Sequence, residues 1–218
     1  MSSDIRWGLP SDGHTFPIYE GPSNDLVKVA EYADERGVAN IRFGGDTWQL
    51  HGPDDRGGKD GHDAKARAGN AANDASHDSG GAGKVAEGGV KKAATASATT
   101  QTGTWTVTGD GKSFGKSERY EVQADRHRIA IIAETKKNFV LDIDGEKAGQ
   151  FSSENRGLRN LHVEFEGPGE KLPIDVRVFV SWAARLCMET RMISSSWAVT
   201  IALLLCIPIV VLYWIGFV

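Results

Sequence analysis

Cysteine is nearly missing from this chain of 218 residues: Cys187 and Cys206 are its only two. That leaves no disulfide framework and fits a reducing compartment. The opening residues MSSDIRWGLPSDGH lack both a basic start and an apolar run, so they do not read as a secretory signal. An excess of cations is missing too. The net charge is −4; residues 1–52 hold four Lys/Arg against eight Asp/Glu, 53–103 hold seven of each, and 104–193 hold fourteen of each. No section is basic enough to bind nucleic acid by bulk charge. No Ser/His/Asp or Cys/His constellation stands at recognisable spacing, which argues against an enzyme.

What is present begins with one long apolar run. Residues 197–218, WAVTIALLLCIPIVVLYWIGFV, carry no charge. As a helix they rise roughly 33 Å, enough to cross a ~30 Å hydrocarbon core. Trp197 at one end and Tyr213 with Trp214 near the other suit the two interfaces. Pro208 lies between them, and membrane helices tolerate proline better than soluble ones. The competing reading is a buried core helix of a soluble domain. A single C-terminal transmembrane helix over 194–218 is expected, making this a tail-anchored, single-pass membrane protein. Arg185 and Arg191 precede the run and agree with a cytoplasmic N-terminal domain, although Glu189 stands between them. Cys187, just before it, reads as a small buried hydrophobe, with lipidation near the membrane as the alternative.

Residues 53–103 break the pattern. Val85 and Val90 are their only apolar residues larger than alanine, so they bury too little surface to offset ordering entropy. A disordered Gly/Ala-rich linker or insertion is expected. His51, His62, Asp63, His77 and Asp78 fall in or beside it, but match no metal-site spacing; no metal and no cofactor are expected.

The flanks read as strands. Ile41, Phe43, Trp48 and Leu50 alternate around Gly44-Gly45, a hairpin signal. After the linker, Trp105 and Val107 alternate with threonines, and Asp110-Gly111 suggests a turn. Tyr120, Val122 and Ala124 share one face. RIAIIAE reads as a central strand. Phe139, Leu141 and Ile143 lead to a turn at Asp144-Gly145, and Leu161, Val163 and Phe165 share a last face. Asp142, Asp144 and Glu146 lack the spacing of a calcium loop, and GDGKSFGKS lacks that of a phosphate loop. Both read as turns. Short strands at this spacing predict a mainly β (α+β) fold, an antiparallel meander or barrel.

Two helices are expected besides the anchor. One spans residues 24–36, capped by Ser23 or Asn24 and ended by Gly37. The other starts near Pro173 and continues IDVRVFVSWAARLCMETR. There Arg177, Ser181, Arg185 and Glu189 recur every four residues as a narrow polar stripe, and the rest is apolar, so this helix is expected to pack against or partly inside the meander. It then leads into the anchor through Ser194, Ser195 and Ser196. The resulting division is 1–52 (N-terminal β part with a short helix), 53–103 (linker), 104–193 (meander plus apolar helix) and 194–218 (anchor).

TWTVTGDGKSFGKSERYEV, RIAIIAETKKNFVLDIDGEKAGQF and LPIDVRVFVSWAARLCME, together with the first hairpin, resemble the tubby-like superfamily, which includes LURP-one-related proteins and phospholipid scramblases. The resemblance covers roughly 100 residues and is architectural. It implies a closed antiparallel barrel around a hydrophobic helix, and a lipid-binding, membrane-associated role. Arg177 and Arg185 depart from it, since unpaired charge is costly inside a sealed barrel.

Basic residues cluster at Arg126 with Arg128, at Lys136 with Lys137, and at Arg156 with Arg159. They are candidate contacts for anionic lipid headgroups, with ordinary solvated strand ends as the alternative. The functional expectation is a non-catalytic binding or scaffold domain held at the bilayer, with the bilayer and other membrane proteins as partners and no nucleic acid. The alternative is a lipid-binding or lipid-translocating protein.

Overall fold

The structure, a computed structural model, describes residues 4–10, 12–35, 37–53, 93–152 and 161–214. In the last helix its side chains are described to Met192 and again at Leu204, Cys206, Ile207 and Pro208. The chain divides into two compact units, one of Met1–Asp55 with Ala93–Val218 and one of Arg56–Lys92. The second lies outside the described residues.

Twelve strands form among the described residues. They are β1 (Ile5–Trp7), β2 (Thr15–Glu20), β3 (Val27–Glu35), β4 (Val38–Phe43), β5 (Asp46–His51) and β6 (Thr95–Thr99). They continue with β7 (Thr104–Gly109), β8 (Arg119–Ala124), β9 (His127–Ala133), β10 (Asn138–Ile143), β11 (Glu146–Ser152) and β12 (His162–Phe165). Each pairs antiparallel with its sequence neighbours, and β1 pairs with β12, so the sheet closes into a barrel without edges. Its axis is occupied by α1 (Ile174–Trp214).

The alternation read from the sequence holds in β7, β8, β10 and β12. Tyr120, Val122 and Ala124 are fully buried, as are Val163 and Leu141, while their neighbours face solvent. Gly44 and Gly45 both take positive φ (56° and 89°), as do Asp144 and Gly145 (56° and 84°), which makes tight turns matched to the strand twist. Val176, Val178, Phe179, Val180 and Ala183 of α1 are buried against the inward faces. The helix fills the interior, as in small barrels packed by side chains rather than by water.

Four expectations are corrected. Residues 24–36 are not a helix: 27–35 are β3. Leu26, Val29, Ala30 and Ala33 have helical spacing, but Ala30 and Tyr32 point inward together and the strand pairs along its length with β2 and β4. Tertiary pairing overrides local propensity. Gly37 (φ 81°) accordingly serves a hairpin turn rather than a helix end. The linker does not extend to residue 103, because 95–99 are β6. Ala94, Ala96 and Ala98 face the core with at most 5 % exposure, and so small a face gave no apolar signal. Asp110-Gly111 does not make a two-residue hairpin. It opens a longer connection with a 3-10 turn at Phe114–Lys116, pinned by the buried Phe114 ring. Finally, α1 runs unbroken through Ser194, Ser195 and Ser196 to Trp214, with Pro208 inside it. β1 and β2 had no counterpart in the sequence reading.

Among the described residues no helix is long and apolar enough to cross a membrane, so the expected transmembrane helix is not found there. Most side chains of 197–218, those of Trp197, Tyr213 and Trp214 included, lie outside the described residues. Leu204, Cys206, Ile207 and Pro208 are exposed.

Candidate functional site

The barrel has two ends. At the base, α1 enters beside the β8–β9 turn and the segment after β12; at the mouth it leaves. The polar stripe on α1 runs from one to the other, facing β1, β2 and β3. At the base Arg177 Nη2 meets Glu20 Oε1 at 2.5 Å, and Arg177 Nε donates to the Leu172 carbonyl at 3.2 Å. One turn on, Ser181 Oγ accepts the Trp7 indole N–H at 3.1 Å and donates to the Val178 carbonyl. Near the mouth Arg185 Nε donates to Glu189 Oε1 at 2.7 Å. Its guanidinium carbon lies 4.2 Å from the Phe16 ring centre, 4.6 Å from Trp7 and 5.4 Å from Tyr32. Carboxylates and ring faces thus stabilise the two arginines that a sealed barrel would otherwise penalise. Burial pushes the Tyr32 phenol up to about 12. The cage escaped the sequence reading because two of its rings lie on β1 and β2 and the third on β3.

On the opposite side of α1, Arg191 donates to the carbonyls of Ser117 and Thr135 and stacks 4.9 Å from the Phe139 ring centre. It clamps the β7–β8 and β9–β10 loops onto the helix. Gly115 permits the approach: a Cβ there would stand 2.7 Å from the Thr190 carbonyl oxygen. The first loop is further fixed by Tyr120, whose hydroxyl donates to the Phe114 carbonyl at 2.8 Å, and by Gly111 N–H on Ser117 Oγ. Burial pushes the Tyr120 phenol to about 12 and raises the Cys187 thiol further still. A thiol so held stays protonated and behaves as a small hydrophobe.

The structure separates the basic pairs. Arg126 and Arg128 are exposed at the base and Lys136 and Lys137 at the mouth. Five residues of β9, Ile129 to Ala133, stand between them, ~17 Å at ~3.3 Å per residue. They cannot grip one headgroup. Arg156 and Arg159 lie outside the described residues. Beside Arg126 a shallow cleft of about 310 Å³ is lined by Asp125, His127, Pro173, Asp175 and Val176. Asp125 (φ 48°) turns the hairpin there, and its Oδ1 accepts the Trp105 indole N–H at 2.9 Å. Two carboxylates, Asp125 and Asp175, stand against the guanidinium of Arg126 in this cleft, which gives it no preference for an anionic ligand.

Asp142 and Asp144 belong to the β10–β11 turn, where Asp142 Oδ1 accepts the Gly145 N–H at 3.1 Å. Among the described residues no three His, Cys, Asp or Glu side chains are grouped to hold a metal ion. His62, Asp63, His77 and Asp78 lie outside the described residues. Set against family models, curated proteins and solved structures, the chain matches none.

Proposed function

We propose that this is a single-pass membrane protein whose barrel serves as a non-catalytic binding or scaffold module on the cytoplasmic side of a bilayer. The supporting observation is the continuity of α1. The helix that fills the barrel runs without a break to Trp214, into a 22-residue run free of charge. That run is long enough to span, and Trp197, Tyr213 and Trp214 are placed to meet its interfaces. Tethering confines the module to a thin layer, where weak contacts with lipid or other membrane proteins gain from effective concentration. The test is alkaline carbonate extraction of membranes carrying the intact chain or a chain truncated after Ser196. The intact chain should stay in the pellet and the truncated one should be released. Equal partition of the two removes the anchor.

A second reading, a lipid-binding or lipid-translocating protein of tubby-like or scramblase type, is favoured by the closed barrel around a central helix. The interior is filled by core side chains, so a lipid would be handled on the outer surface or rim. Vesicles with labelled lipid separate the two readings. No transfer between leaflets, with or without calcium, eliminates translocation and leaves the scaffold.

A further inference from the structure

Exposed apolar side chains stand at both ends of the barrel, Leu26 and Val27 at the base being exposed by 40 % and 59 %. Leu9 on the β1–β2 loop, Val38 at the start of β4 and Met192 on α1 are exposed by 66 %, 64 % and 52 %. Lys112 and Lys116 on the β7–β8 loop and Lys136 and Lys137 on the β9–β10 loop are exposed around Arg191, on the far side of the ring from Leu9 and Val38. With Arg185 and Arg191 these two loops and the adjoining helix carry six cations against Asp110, Glu118, Glu134 and Glu189. Asp12, Asp34 and Glu35 stand across the mouth with Leu9 and Val38, so among the described residues its positive side is the one Arg191 clamps.

Helix geometry fixes where this rim stands. Met192 and Trp197 are five residues apart on one unbroken helix, ~7.5 Å along its axis. The polar interface of a bilayer is roughly 5–7 Å deep on each side. A rim joined to a spanning segment by so short and stiff a connection is held among the headgroups. The Arg191 clamp keeps the two basic loops at that height.

We infer that the mouth of the barrel is a bilayer-docking face for anionic phospholipid. The lysines of the β7–β8 and β9–β10 loops meet the headgroups, and Leu9, Val38 and Met192 enter the interface. The base, with Arg126 and Arg128, is turned away from the membrane and left open to other partners. This inference rests on the anchor reading above.

The test uses the full chain with Cys206→Ser, Cys187 being buried. A polarity-sensitive fluorophore is attached at Leu9→Cys or, at the base, at Leu26→Cys; both native positions are exposed. Each protein is reconstituted in phosphatidylcholine vesicles with or without phosphatidylserine and quenched with acrylamide. The mouth label should be shielded several-fold more than the base label. Phosphatidylserine should deepen that difference, and Lys136→Gln with Lys137→Gln should remove the deepening. Protein that resists carbonate extraction yet shows equal quenching at both labels overturns the docking face alone. Shielding indifferent to phosphatidylserine overturns the lipid preference. Protein released by carbonate overturns the anchor, and the docking face with it.

Discussion

The Trp7 indole N–H donates to Ser181 Oγ at 3.1 Å, joining positions 174 residues apart. This bond ties the first strand to the middle of the central helix. It stands between two arginines on the same helix stripe, one held by Glu20 and the other by Glu189 and three rings. The seam where β1 meets β2 and β12 is therefore secured from inside by polar contacts as well as by apolar packing.

Ser181→Ala should cost ~1–2 kcal/mol, because the buried indole N–H of Trp7 loses its Ser181 acceptor. Trp7→Ala should cost ~3–5 kcal/mol, since it adds a cavity and uncovers the Arg185 guanidinium. Urea unfolding of the truncated barrel measures both, and equal midpoints for Ser181→Ala and the parent chain would show that the bond does not hold the seam.

Glu20→Gln should destabilise by about 2 kcal/mol, below the ~3–5 kcal/mol for breaking a fully buried pair, because Glu20 keeps 30 % of its side chain exposed. Adding Arg177→Met should recover part of the loss, since the buried guanidinium that Glu20 paired is then removed. A double-mutant cycle reads the coupling directly.

Removing residues 56–92 and joining the ends with a short Gly/Ser connector should leave cooperative unfolding intact. β5 and β6 are already paired neighbours, and shortening a loop changes its closure entropy slowly, by ~0.6 kcal/mol per halving. Extending the deletion to residue 103 removes β6, breaks the ring between β5 and β7, and should abolish the transition.

Alkali should unfold the barrel. The phenols of Tyr32 and Tyr120 are raised by burial from an ordinary value of 10.0 to about 12. Each raised group supplies stability that is complete below pH 10 and is lost as pH rises from there through about 12. Tyrosinate absorbance of these two should therefore rise together with the loss of far-ultraviolet strand signal. Ionisation well before unfolding would mean that water reaches them.

Strands β7, β8, β10 and β12 were legible because each alternates apolar and polar residues, β9 because it is a short apolar run, and β11 because it follows the Asp144-Gly145 turn. Burial matches that alternation in β7, β8, β10 and β12, while β9 buries Ile129, Ala130 and Ile131 in succession, as its more apolar sequence suggests. The polar stripe on α1 was legible as a pattern, but its partners were not. β6 was hidden because alanine and threonine carry no apolar contrast, and β3 because its apolar residues also satisfy a helical period. In the sequence Lys112 and Lys116 belong to a glycine-rich turn, GDGKSFGKS. Their nearness to Lys136, Lys137 and Met192 exists only once the loops share a mouth.

By itself the sequence determined the local terms: the alternating strands, the glycine turns, the weakly apolar insertion, the helix with its polar stripe, and the uncharged run after Ser196. Each is a short-range property, set by side-chain period and backbone preference. Closure of twelve strands into one ring, the placing of α1 on its axis, and the sorting of basic residues to opposite ends were decided by tertiary structure. The physical reason is pairing between distant segments. β1 meets β12 and Trp7 meets Ser181 only when the whole ring has formed, and that contact converts Arg177 and Arg185 from a buried penalty into a seam.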